Sequence, residues 1–390
     1  MSNNMNTPDT IRWKLLSTVS ALALLASAYA AGEAEAAGSD ADHPLIWIEL
    51  GGQAETITGQ GEVFAPAFLS LYPNSSVLWK GTSPLQVQKP PLFNFGEEGK
   101  ISFQPENSDW VFAAALRYGR TGISRETDHQ TNRAFKTKYI SGVPATFENT
   151  RGIDNFSDSL ARRSDSHAIL DFSVGKDVGL GMFGKDSSST LSLGVRIAQF
   201  TSHTSFDIRA RPELEFKYGD LAAFGHPEIT FQLPYYRTYH ATEQASRSFR
   251  GAGPSVSWTG SALFMGDPQD GEVTFDWGVN AALLFGRQKT HVKHQEYQRY
   301  VSWQFVFNGG ANYHSPYPIV YGGHDNVRSV TVPNVGGFAG ISYRYSDAKI
   351  SLGYRTDFFV GAIDAGIDAP KNETLGFKGP FASISFGLGD

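Results

Sequence analysis

The chain has no cysteine in 390 residues. That absence excludes a disulfide framework and any thiolate metal site. Beyond the N-terminus, the sequence also lacks an unbroken apolar run of about 18 residues, so no transmembrane helix is predicted. Charge is sparse at 18%, and the net charge of -6 argues against a nucleic-acid partner. No glycine-rich phosphate loop follows a strand and opens a helix. What is plentiful is aromatic and small: 28 Phe, 16 Tyr, 7 Trp and 41 Gly. That mixture suits a closed barrel, with aromatic girdles outside and small residues within.

Residues 1–30 read as a secretory signal. Arg12 and Lys14 form a positive start, Leu15 to Leu25 a short apolar core, and Ala28-Tyr29-Ala30 a cleavage site, with Ala34-Glu35-Ala36 as a second candidate. The core is too short to be a membrane anchor. Residues 31–44 are small and acidic, a flexible lead-in. Residues 45–390 then form one unit.

Within that unit the most informative stretch is Glu272–Gln288. Val273, Phe275, Trp277, Val279, Ala281, Leu283 and Phe285 share one parity. Thr274, Asp276, Gly278, Asn280, Ala282 and Gln288 share the other, where Leu284 is the apolar exception. Alternation with period two is a strand with one apolar and one polar face. Val273 to Phe285 spans roughly 40 Å, and a tilted strand of about 9–11 residues already crosses a bilayer. A soluble sandwich strand alternates too, so the rest of the chain must decide.

Nine further segments repeat the pattern. The first starts near Leu45. Ile101–Gln104 pairs with Trp110–Tyr118 through a Pro-Glu-Asn-Ser turn, and His167–Val174 pairs with Thr190–Phe200. Arg247–Leu263 pairs with the strand at 272–288. Asn334–Tyr345 pairs with Lys349–Val360, and Pro380–Asp390 closes the chain. Ten antiparallel strands place both termini on one side, together with four short turns. The five connections on the other side are long and polar, near 59–97, 119–166, 208–246, 292–331 and 361–379. Short periplasmic turns and long extracellular loops are the mark of an up-and-down transmembrane β-barrel of the outer membrane. Eight or twelve strands stay open, because the 59–97 segment can hide another pair, Val63–Leu71 being a candidate.

Ser248-Phe249-Arg250-Gly251-Ala252-Gly253-Pro254, Leu283-Leu284-Phe285-Gly286-Arg287-Gln288 and Leu352-Gly353-Tyr354-Arg355 resemble segments of the Legionella-type major outer membrane protein family of pore formers. The whole pattern is similar to Gram-negative outer-membrane β-barrels. Many of those finish on an aromatic residue, whereas here Phe386 is followed by Gly-Leu-Gly-Asp. The resemblance implies localisation in the cell outer membrane. It implies lipid, lipopolysaccharide and the barrel-assembly machinery as partners, and small polar solutes as cargo.

The polar parity carries Glu49, Arg117, Asp171, Arg196, Asp276, Arg344, Arg355 and Asp357. Arg or Lys facing lipid at mid-depth costs about 2–4 kcal/mol, so these eight charges are expected to line the lumen. They either tune a narrow water-filled pore or pair across it. Ten strands lie near the size at which side chains fill a barrel. The leading expectation is porin-like passage of small polar solutes through a narrow charged lumen. The alternative is a closed structural or adhesive surface barrel without transport.

No cofactor or metal is expected. His291 and His294 form an H-x-x-H with His314 and His324 nearby, yet a spacing of three suits a helix and no carboxylate clamp accompanies it. His324-Asp325 is the adjacent pair singled out as a candidate acid and base, and no positioned nucleophile goes with it, so no enzymatic activity is expected. Loop aromatics such as Tyr235, Tyr236, Tyr239, Tyr297, Tyr300, Trp303, Phe305, Tyr313 and Tyr317 read as girdle and loop packing.

Overall fold

A computed structural model describes residues 46–59, 93–106, 108, 110–130, 136–140, 143–148, 157–178, 187–210, 213–218, 232–267, 270–304, 311–316 and 320–388. The N-terminal signal, the lead-in and the Val63–Leu71 candidate lie outside them.

The chain forms strands β1 (Ile46–Thr58), β2 (Phe93–Phe103), β3 (Trp110–Arg120), β4 (Ser124–Gln130), β5 (Lys136–Ile140), β6 (Val143–Glu148), β7 (Ser157–Asp177) and β8 (Ser187–Ala210). β9 (Glu213–Tyr218), β10 (Gln232–Asp267), β11 (Gly271–Gln304), β12 (Ala311–Pro316), β13 (Val320–Tyr345), β14 (Ala348–Asp364) and β15 (Asn372–Leu388) follow. Ten of them close a ring in the order β11-β13-β14-β15-β1-β2-β3-β7-β8-β10, with β10 pairing back onto β11. Every neighbouring pair is antiparallel. The last strand meets the first, with Phe386 opposite Ile48 and Leu388 opposite Ile46. The ring is therefore a closed ten-stranded barrel, and the ten segments expected from alternation are its ten staves.

Alternation sorts the faces. Leu50, Phe112, Phe172, Leu193, Val279, Phe285, Ile341, Leu352 and Ile384 are exposed on the outside of the wall. Without a second sheet to cover them, they form the apolar band that meets lipid. The inward parity is buried. Leu284 is fully buried there, so the one apolar misfit of the polar face packs inside the barrel.

The strands run much further than their apolar faces. β10 and β11 pair from Asp267↔Gly271 at the short turn to Tyr236↔Val301 at the far end. The stretches expected to be loops at 208–246 and 292–331 are in large part strand. Short strands continue this outer sheet: β4 on β7, β9 on β10, β6 on β9, β5 on β6 and β12 on β11. Above the membrane both faces of a strand can be polar. The backbone ladder still holds, but the hydrophobic contrast that reveals a strand in sequence is lost. Tyr235, Tyr236, Tyr239, Tyr297, Tyr300, Trp303 and Tyr313 stand on these extensions. Phe305 and Tyr317 fall outside the described residues. The final loop is also shorter than expected: β14 and β15 leave only Ala365–Lys371 between them, closed by the Ala365 amide donating to the Lys371 carbonyl at 2.7 Å.

Topology predicts sidedness. A cysteine at exposed Asp325, on the upper part of β13, is expected to react with a membrane-impermeant maleimide on intact cells. A cysteine at exposed Asp347, in the tight β13–β14 turn, is expected to react only after permeabilisation. Labelling in the opposite order would invert the topology.

Candidate functional site

The inside of the barrel is layered. Nearest the short turns lies a polar ladder. Lys349 Nζ is 2.6 Å from Asp276, which also accepts from Ser261 (2.7 Å), Thr274 (3.1 Å) and Ser342. Glu49 accepts from Ser383 at 2.8 Å and has Lys100 at 4.0 Å. Arg344 lies over the Trp47 ring, 5.4 Å from its centre. One step higher, Arg355 pairs with Glu98 and stacks on Phe381. Arg117 on β3 reaches across to Asp357 on β14, four strands away round the ring. Arg196 binds Asp171 through two bonds of 2.6 and 3.0 Å, and it donates to Asn280 at 2.7 Å and to Asn334.

All eight charges expected on the lumen side thus stand among inward side chains, each with a partner. The partners were mostly invisible in sequence. Glu98 and Lys100 sit on the same parity of β2, outside the segment that alternation revealed. Asn280, Asn334, Ser342 and Ser383 are neutral and give no charge signal. Gly336 shows how tightly the ladder is built, since a Cβ there would collide with the Asp357 carboxylate.

Above this ladder the lumen turns apolar. Phe200, Phe249, Phe359 and Phe377 pack with Ile57, Ile169, Leu284, Val332, Ile363 and Leu375. Phe200 on β8 meets Phe359 on β14 edge-on at 4.6 Å between ring centres. It also meets Phe377 on β15 at 5.6 Å. β8 and β15 lie five places apart in a ring of ten, so their side chains touch across the full diameter. The sequence signal for this layer was the phase itself. Phe200 shares parity with Arg196, and Phe359 with Arg355 and Asp357, as Leu284 does with Asp276.

A second polar network lies over the Phe layer. His167 rests on Phe377 at 4.3 Å and faces Glu55 at 3.4 Å, while Asn94 donates to Glu55 at 3.3 Å. Asp364, fully buried, accepts from Asn326 (2.9 Å), from the Lys371 amide (2.8 Å) and from the Gly366 amide (3.2 Å), and lies 3.2 Å from His324. Arg247 on β10 donates to the carbonyls of Asp364, Ala365 and Gly366 at 2.9, 3.5 and 3.3 Å. The loop Ala365–Lys371 is thereby drawn from β14 toward a wall three strands away. Gly361, at φ +69°, permits the bulge between Phe359 and Ile363 that aims β14 into this loop.

The histidines fall into place by the same geometry. A spacing of three on a strand sends His291 and His294 to opposite faces. His291 is outside with Asp325, and His294 is inside, 2.6 Å from Asp368. His324 and Asp325 likewise diverge, His324 turning inward to Asp364.

No family model and no curated protein matches the chain. Solved structures do. The outer membrane protease OmpT from Escherichia coli is 11% identical, with 91% of this chain and 100% of that chain covered and a TM-score of 0.34. The β domain of the Bordetella autotransporter Brka is 9% identical over 89% of this chain and 100% of that one, with a TM-score of 0.18. The Pseudomonas putida toluene transporter TodX is 10% identical over 90% of each chain, with a TM-score of 0.19. The chain has an outer-membrane barrel fold, and its own closed strand pairing and outward apolar band carry that statement.

Two predictions arise from the lumen. Asp357→Ala leaves Arg117 buried without its counter-charge and is expected to cost about 3 kcal/mol in urea unfolding of the micelle-bound barrel. The double change Arg117→Met/Asp357→Leu is expected to recover most of it; an equal or larger loss would mean that the pair itself stabilises. The second concerns Asp364, above the apolar band. Burial pushes its carboxyl up, but the bonds from Asn326, the Lys371 amide, His324 and the Gly366 amide outweigh burial and hold it below its ordinary value of 3.8. A depressed folded value stabilises above the ordinary carboxylate range, and that stabilisation is lost as pH falls through the lowered value. Proteolysis within Ala365–Lys371 is expected to rise only below about pH 4. Asp364→Asn should be cleaved readily at neutral pH, and cleavage that ignores both pH and substitution would show that Asp364 does not hold the loop.

Proposed function

We propose that this protein is a closed outer-membrane barrel that presents an extended β-sheet at the cell surface, rather than a conduit for polar solutes. The observation that carries this reading is the contact of Phe200 with Phe377 across the full diameter. Ion pairs cross below that contact and the Ala365–Lys371 loop is bound above it. Contacts at three successive levels of the described lumen support closure, since polar solutes would have to pass each of them. The mass that projects outward supports a surface role. β10 and β11 continue well past their apolar faces and carry β9, β6, β5 and β12 with them. A sheet of that extent, with tyrosines along it, suits contact with a macromolecule outside the cell.

Planar-bilayer recording on the purified full chain tests the reading. The unaltered protein is expected to give no discrete conductance steps. Phe200→Ala/Phe377→Ala, which empties the middle layer, is expected to give brief ones and to lose about 3–5 kcal/mol per ring. Regular steps from the unaltered protein would overturn closure and restore passage of small polar solutes.

A further inference from the structure

On the outer wall the apolar band stops abruptly at a cluster of cations. On β11 the outward positions from Val273 to Phe285 carry no charge, and on β10 those from Ala252 to Ala262's neighbours are likewise uncharged until the short turn. The next outward residues are Arg250 on β10 and Arg287 on β11, followed by Lys289 and Lys293, all exposed. Arg250 and Arg287 stand directly opposite one another in the ladder. Like charges in that position destabilise a sheet. Among the described residues neither arginine has an ion pair, and nor does Lys289. The nearest outward carboxylate, Asp325, is taken up by His291.

Height identifies the missing partner. The apolar run of β11 covers roughly 40 Å of strand, or about 28 Å at a tilt of about 45°. That matches the apolar band of about 25 Å on outer-membrane barrels. Arg287 follows two residues later, about 5 Å higher, where lipid headgroups lie. The side is that of the long loops, hence the outer leaflet. Two arginine forks and a lysine side by side suit phosphate, which arginine binds through two parallel hydrogen bonds. We propose that Arg250, Arg287 and Lys289 form a binding site for the phosphorylated headgroup of an outer-leaflet glycolipid, whose acyl chains lie along Phe285, Leu283 and Ala252 below. The bound phosphate neutralises the opposed arginines. This site depends on the membrane placement of the barrel and not on whether its lumen is closed.

The test uses the purified full chain in uncharged detergent micelles, titrated with a bisphosphorylated glycolipid, its dephosphorylated form and inorganic phosphate. The phosphorylated lipid is expected to bind at least tenfold more tightly than the dephosphorylated one. Inorganic phosphate at equal concentration should not compete, because it lacks the acyl chains. Arg250→Gln/Arg287→Gln/Lys289→Gln is expected to abolish the preference while folding normally. The single change Arg287→Gln provides a second readout. It should raise the unfolding midpoint without lipid, by relieving repulsion, and lower it when the phosphorylated lipid is present. Equal binding of both lipids, full competition by phosphate, or an unchanged preference in the triple variant would overturn the site.

Discussion

Ring closure is the constraint on which everything else in this protein depends. Lipid offers no partner to a backbone N–H or C=O, so a sheet that crosses a membrane must leave no edge. Here the pairing of β1 with β15 and of β10 with β11 removes both edges. Closing on ten strands sets the diameter, and the diameter sets what the lumen can be. Opposite walls come close enough for Phe200 and Phe377 to touch. Side chains must then fill the space, and each inward charge has to find a partner within reach.

That necessity explains the layering. Inward charges near the short turns pair around and across the wall, as in Arg117 with Asp357 and Arg196 with Asp171, Asn280 and Asn334. Bidentate geometry and neutral amides satisfy guanidinium groups that would otherwise be buried at great cost. The phenylalanine layer above them keeps these pairs from the upper network. Arg247 and Asp364 then bind carbonyls and amides at the two ends of the Ala365–Lys371 loop. The outer wall follows the opposite logic. On β10 and β11 it is uncharged from Ala252 and Val273 to Phe285 and cationic at Arg250, Arg287 and Lys289.

Alternation along single strands made the architecture readable before any coordinates, and the reason is physical. A membrane barrel sets lipid against a packed lumen, and the contrast imprints a period of two on every stave. Where the contrast vanishes, so does the signal. The upper halves of β10, β11 and β13 have polar residues on both faces, and their ladder rests on backbone bonds that leave no trace in side-chain type. The stretch of β2 above Ile101, with Glu98 and Lys100, was missed for a related reason: Gly99 and Glu97 interrupt its apolar face.

The sequence by itself determined the fold class, an even number of strands near ten and which parity of Asp276, Arg355 and Asp357 faces inward. All of these depend on local alternation and on the lengths of connections. Only the tertiary structure decided that Arg117 meets Asp357, that His324 belongs to Asp364 rather than Asp325, and that Leu284, Phe200 and Phe359 are one layer instead of isolated misfits. Those pairings join residues far apart in the chain and depend on stagger and diameter. No local pattern encodes either quantity, because both are properties of the closed ring.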